Sequence, residues 1–225
     1  MFKIRFILIV LLLFTLSSLS LMFGQGNSNM TNYPQQNSTS SISEDIEIID
    51  SEYNLLQALE GINIPYSIRK DLKLVTVRYY GFDDKLHQGQ LIVNKRIAEE
   101  VKEIFILIRK IKFPIEKVIP LTEYNWSDED SMGDNNTSAF NYRFISGSRV
   151  LSMHAKGLAI DINPKQNPYV KNGVITPQGA LYNVEVKGTI KPGSKIIKIF
   201  KERGWTWGGD WKSLKDYQHF QKELE

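Results

Sequence analysis

The sequence predicts a mixed α+β domain, a small antiparallel or mixed sheet flanked by helices, and three observations predict it. Residues 72–79 (LKLVTVRY) alternate apolar and polar side chains as a half-buried strand does. Residues 95–111 repeat apolar positions at helical spacing through Ile97, Ala98, Val101, Ile104, Phe105, Ile108 and Ile111. The chain then closes on a second amphipathic helix over 192–203 followed by two short strand candidates, 205–207 and 217–220.

The N-terminal region stands apart. Lys3 and Arg5 precede a run from Phe6 to Leu16 in which only Thr15 is polar, the pattern of a secretory leader over 1–24. The run fades slowly toward Phe23, so an uncleaved membrane anchor is the competing reading. Residues 25–43 carry no charge and few apolar side chains, a composition that cannot offset the entropy of ordering, and they read as a polar, disordered tether. A single domain is expected over 44–225, and the protein is expected at the cell envelope or outside the cell, acting as a monomer.

Within that domain, residues 53–60 suit one short helix stopped by Gly61, and Gly81-Phe-Asp-Asp is turn chemistry leading to a strand over 89–93. Asn94 is placed to cap the long helix and Pro114 to end it. Residues 115–120 suit a short strand. The stretch 124–136 is polar and acidic and is expected as a loop, of the kind that lines sites. Strands are expected over 139–144 and 157–162, an irregular excursion over 164–188, and Gly204 as the stop of the second helix.

Composition removes several function classes. The formal charge of +3 falls to +1 once Lys3 and Arg5 of the leader are set aside, which leaves no electrostatic case for a nucleic-acid partner. The absence of Cys rules out disulfides, thiolate metal ligands and cysteine nucleophiles together. Any metal must sit on His and carboxylate, and there are three His residues, His87, His154 and His219.

His154 and Asp161 flank Gly157 in the stretch SMHAKGLAID, and His219 stands far downstream in DYQHF. Two imidazoles and a carboxylate are the three protein ligands that a catalytic zinc requires, with a fourth position left for water. Asp216, three residues before His219, has the reach of a general base, and Arg143 could bind an oxyanion or a substrate carboxylate. Taken singly, each also has a plain structural reading: a satisfied core histidine, an exposed turn carboxylate, a surface arginine. His87 is expected as a polar residue on a turn. Among Trp126, Trp205, Trp207 and Trp211, packing is the expected role, with Trp211 alone beside a cleft.

Together these motifs resemble the zinc peptidase superfamily of D-alanyl-D-alanine carboxypeptidases, vancomycin-resistance D,D-peptidases and L-alanyl-D-glutamate endopeptidases, nearest the last branch. The residues that carry the resemblance are Ser152-x-His154-x-x-Gly157-x-Ala159-x-Asp161 and Asp216-x-x-His219-Phe. It extends to Gly81-Phe-Asp, NNTSAFNYR ending at Arg143, DINPKQNPY starting at Asp161, and GWTWGGDW ending at Trp211. The resemblance implies a hedgehog or D,D-peptidase-like zinc fold and a secreted metallopeptidase hydrolysing peptidoglycan stem peptides. It also implies Zn2+ on His154, Asp161 and His219, Asp216 as base, and Arg143 polarising the scissile carbonyl. Three positions depart from the common pattern: FNYR stands for SGYR, Asp216 for Glu, and Gln221 for the Glu after His-Phe. The alternative implied by the same fold is a non-catalytic, zinc-containing module that binds the cell wall or a partner.

Overall fold

The computed structural model of the chain describes residues 47–224. The leader, the tether and the expected domain start at 44 lie outside the described residues. Among the described residues no helix is long and apolar enough to cross a membrane.

The first sheet is built on a hairpin. Strand β1 (Ile48–Ile49) and two short helices, α1 (Leu55–Ala58) and α2 (Tyr66–Arg69), precede β2 (Leu72–Tyr80) and β3 (Leu86–Asn94). Strands β2 and β3 pair antiparallel along their whole length, and β1 adds in parallel to the far edge of β3. The alternation in β2 sends Val75, Val77 and Tyr79 inward and Thr76 and Arg78 outward, while Leu72 packs from the opposite face into a second, smaller cluster with Ala58, Ile64 and Phe140. Helix α3 (Ala98–Lys110) covers the inner face with Val101, Ile104, Phe105 and Ile108, none more than 1% exposed. Burying a side chain of that size contributes about 1.5–3 kcal/mol, so this helix is held by its packing.

The C-terminal half supplies several small sheets. Strand β4 (Lys117–Val118) pairs in parallel with β5 (Asn136–Thr137), and helix α4 (Asp128–Gly133) lies between them in sequence. Strands β6 (Ala159–Asp161), β7 (Tyr169–Lys171) and β8 (Val174–Thr176) follow, then helix α5 (Lys195–Lys201). The chain ends on β9 (Thr206–Trp207), β10 (Lys215–Asp216) and β11 (His219–Gln221). One sheet runs β6-β11-β9 and another β10-β7-β8, both antiparallel. Ile160, Phe200, Trp207 and Phe220 join the same core as β2, β3 and α3, which anchors the β6-β11-β9 sheet to the hairpin.

The α+β class is what the structure has, with its strands in four small sheets. Several local expectations are corrected. Helix α3 starts at Ala98, with Ile97 in the cap position, because Asn94 is spent as the last residue of β3. Its amide donates to the Lys156 carbonyl (3.3 Å), while its oxygen accepts from Arg96 N–H (3.0 Å). The expected loop over 124–136 contains α4, whose Ser127 cap accepts from Asp130 N–H (3.1 Å) and whose first turn is acidic, complementing the helix dipole. Residues 139–144 make only an isolated bridge, Phe144 with Leu151, and the excursion over 164–188 contains the β7–β8 hairpin.

Candidate metal centre

Local backbone chemistry places His154. Ser152 Oγ accepts the His154 N–H (3.2 Å), and a single 3-10 turn over His154–Lys156 ends on Gly157 with φ +67°. Only glycine suits that left-handed, crowded corner, since a Cβ there would lie 2.6 Å from the Asn94 nitrogen. The Gly157 carbonyl accepts from Asn94 N–H (2.8 Å), so the turn is tied to the end of β3.

Two residues past the turn, β6 begins and delivers Asp161. Asp161 is the direct cross-strand partner of His219 on β11, and opposite residues in an antiparallel pair carry neighbouring side chains. All three residues are buried. His219 Nδ1 lies 2.9 Å from Asp161 Oδ1 and 3.1 Å from His154 Nε2, and His154 Nε2 lies 3.2 Å from Asp161 Oδ2. Among the described residues this is the one group of three His or carboxylate side chains whose donor atoms converge, all within 4.8 Å of one another.

The spacing fits a small cation. Donors about 2.0–2.1 Å from a tetrahedral ion stand about 3.3–3.4 Å apart, against the 2.9–3.2 Å found here between adjacent donors. The outward nitrogens of both rings are anchored. His154 Nδ1–H donates to the Ala139 carbonyl (2.5 Å), and His219 Nε2 faces Gln221 Oε1 (3.0 Å). The donor set of two imidazoles and one carboxylate therefore suits a divalent metal held on His154, Asp161 and His219.

The charges are coupled. Burial pushes the Asp161 carboxyl up, but the two imidazoles outweigh it and hold it well below the usual carboxylate range. Burial opposes charge on His219, yet its hydrogen bond to Asp161 and the nearby carboxylates raise it to about 9. Asp216 is pushed up to about 7, by burial first and by the Asp161 charge second. It sits on β10 opposite Tyr169, with its Oδ1 atom buried and without a hydrogen-bond partner.

Arg143 lies on the segment that runs beside the His154 turn, its carbonyl accepting from Ser152 N–H (3.1 Å). Its guanidinium Nε is paired with the Asp128 carboxylate of α4, which also accepts from the Asn141 amide (2.6 Å). Trp211 packs against the His219 ring, with centroids 5.3 Å apart. The other tryptophans spend their N–H groups elsewhere: Trp126 on the Glu60 carbonyl, Trp205 on Glu100, Trp207 on the Tyr217 carbonyl. His87 is no turn residue: it lies within β3, buried, between Asp50 and Asp83 and outside the donor group. Sequence reasoning left Gln221 without a role and missed Ala139 and Asp128. Of these, Gln221 carried a signal, since residues i and i+2 of a strand share a face.

A family model described as D-alanyl-D-alanine carboxypeptidase matches residues 146–222. Over that stretch, about a third of its length, the chain is similar to the D-alanyl-D-alanine carboxypeptidase family. The matched segment of that family contains His154, Asp161, Asp216 and His219, and it begins after Arg143. The chain is also 36% identical over 73 residues to the peptidoglycan L-alanyl-D-glutamate endopeptidase of Bacillus subtilis (strain 168). That alignment covers 31% of this chain and 38% of the relative. No solved structure gives a significant match.

Proposed function

We propose that the chain is a zinc-dependent peptidase of peptidoglycan stem peptides, either an L-alanyl-D-glutamate endopeptidase or a D-alanyl-D-alanine carboxypeptidase. The observation that carries this reading is the convergence of His154 Nε2 and His219 Nδ1, 3.1 Å apart, on the Asp161 carboxylate, whose Oδ1 lies 2.9 Å from His219 and whose Oδ2 lies 3.2 Å from His154. The family match and the relative's activity support the substrate class. The hedgehog or D,D-peptidase-like zinc fold belongs to the same proposal. So do an exported location and a leader or anchor with a tether that presents the domain to the wall.

His154, Asp161 and His219 would hold the zinc, which would supply Lewis-acid polarisation of a carbonyl and make water more acidic. Asp216 serves as the proton carrier: it takes a proton from the attacking water and returns it to the leaving amine. Burial raises the Asp216 carboxyl above the usual carboxylate range, which favours a group that both takes and returns a proton. Arg143, whose guanidinium is paired with Asp128, binds the developing oxyanion or a substrate carboxylate. Trp211 shields one side of His219.

The test is mass spectrometry of products from purified muropeptides, paired with elemental analysis of the full chain. Expected are one zinc per chain and cleavage at one of the two bonds, abolished by a chelator and restored by zinc. Stoichiometric zinc with intact muropeptides would overturn the enzyme reading in favour of a binding module.

A further inference from the structure

Resting on the metal reading above, we infer that Gln221 is the positioning residue of the centre: its carboxamide oxygen fixes which nitrogen of His219 faces the metal. The His219 ring has one nitrogen on each side of the question. Nδ1 looks inward, 2.9 Å from Asp161 Oδ1 and 3.1 Å from His154 Nε2. Nε2 looks outward, 3.0 Å from Gln221 Oε1. A carboxamide oxygen only accepts, so the hydrogen of the neutral ring is drawn to Nε2 and the lone pair is left on Nδ1, where the other donors converge.

The geometry is built into the strand. His219 and Gln221 are residues one and three of β11, on the same face, and both are held in register by β6, where Asp161 and Ala159 are their partners. Thr206 of β9 pairs with Gln221 from the other side. The backbone of Gln221 is therefore fixed independently of its side chain, and the side chain is free to act as a bracket. His154 is held the same way with the opposite polarity, its Nδ1–H on the Ala139 carbonyl and its Nε2 inward.

Both brackets are neutral. A backbone carbonyl and a carboxamide orient the rings without adding charge, so Asp161 is the one anionic donor of the three. A carboxylate at position 221 would orient His219 equally well and make the ring a stronger donor. This gives the inference a sign: binding of the metal should follow acceptor strength at 221, whatever the catalytic outcome.

The experiment measures zinc affinity of the full chain by competition with a chromophoric chelator at fixed pH. Gln221→Leu, similar in length and without an acceptor, should weaken zinc about 10–100-fold. Gln221→Asn, one methylene shorter, should weaken it as well, and Gln221→Glu should hold it at least as tightly as wild type. Nitrogen-15 imidazole spectra of the zinc-loaded wild type should place the ring proton of His219 on Nε2. A Gln221→Leu variant that binds like wild type, or a ring proton on Nδ1, overturns the inference alone. A wild-type chain that takes up no zinc overturns the metal reading and this inference with it. The far-ultraviolet spectra of the metal-free variants, expected to match wild type, separate a lost bracket from a lost fold, and the unfolding midpoint of Gln221→Leu should fall by no more than the one lost hydrogen bond.

Discussion

Two histidine–carboxylate clusters sit in this chain, made of the same residue types and suited to opposite tasks. In the first, His154, Asp161 and His219 turn one donor each toward a shared point and park their spare ring nitrogens on neutral oxygens. In the second, His87 lies between two carboxylates. Its Nδ1 is 3.0 Å from Asp50 and its Nε2 is 3.2 Å from Asp83. Both nitrogens are spent and the carboxylates lie on opposite sides of the ring, so no common point exists for an ion. Tyr79, the cross-strand partner of His87, stacks on it at 5.6 Å and donates its hydroxyl to Asp50. Burial, and then Asp50, push that phenol far above its ordinary range. The second cluster is a clasp that fastens the end of β1 to the hairpin, where Asp50 N–H also donates to the Gln88 carbonyl (2.8 Å). What distinguishes a metal centre from a clasp is the direction of the lone pairs.

The largest effects should come from breaking the convergent cluster. Asp161→Ala is expected to abolish both zinc content and muropeptide cleavage, whereas His87→Ala should keep one zinc per chain by elemental analysis. Loss of zinc from both variants would erase the contrast between the clusters. Asp216→Asn should retain zinc and lower kcat by about 10²–10⁴, the usual contribution of general acid–base catalysis; wild-type turnover in that variant would remove Asp216 from the reaction.

The metal-free protein offers a second way to sharpen the contrast. Asp216 is raised from 3.8 to about 7 in the folded chain, so its contribution to stability is full below pH 3.8 and is lost as pH rises through about 7. His219 is raised from 6.5 to about 9, so its contribution is full below pH 6.5 and is lost as pH rises through about 9. Asp161 is lowered, and its contribution is already complete above pH 4. Urea midpoints of chelator-treated protein should therefore fall steadily from pH 5 to pH 9, and Asp216→Asn should flatten the acidic part of that fall. A midpoint that rises across this interval contradicts the assignment.

Breaking the clasp should cost stability and leave the chemistry intact. Removing His87 takes one hydrogen-bond partner from the shielded Asp50, which keeps the Tyr79 hydroxyl, and losing a hydrogen bond to a carboxylate costs about 1.5–3 kcal/mol. A urea titration of His87→Ala should show that loss, while zinc affinity and cleavage per folded molecule stay at wild-type values.

The sequence carried the helical stripe of α3, the alternation of β2 and the grouping of His154, Asp161 and His219, because each rests on local spacing or a dense motif. Helix α4 was invisible because DEDSMG has no apolar period; its Ser127 cap and one buried serine, Ser131, hold it. The β7–β8 hairpin was legible and overlooked: Asn172-Gly173, both at positive φ, make the two-residue turn between the paired Lys171 and Val174. His87 looked like a turn residue because its partner Asp50 is 37 positions away. Arg143 gave no hint of Asp128, since an ion pair between separate elements leaves no periodic trace. Gln221 was noted only as a departure from the common pattern, yet its role was legible: two positions past a ligand candidate on a strand, it had to share that residue's face.

The smallest effects come from a pair of glycines, one under each cluster, and they ask whether strain stays local. At Gly81 a Cβ would fall 2.5 Å from Asp83 Oδ1 and 2.7 Å from His87 Nε2. At Gly157 it would fall 2.6 Å from the Asn94 nitrogen, on a residue with φ +67°. Gly81→Ala presses on side chains that can swing a few tenths of an ångström, so about 2 kcal/mol is expected, typical of overpacking. Gly157→Ala presses on backbone and adds about 1 kcal/mol for a non-glycine left-handed residue. Gly157→Ala should therefore be the more destabilising of the two, and zinc separates them further. Relief at Gly157 must come from the 3-10 turn that carries His154, so that variant should lose zinc affinity, while Gly81→Ala should titrate zinc as wild type does. Equal zinc affinity in the two variants would mean that the His154 turn tolerates displacement without misdirecting its imidazole, and the bracket at Ala139 would then be what holds the ring.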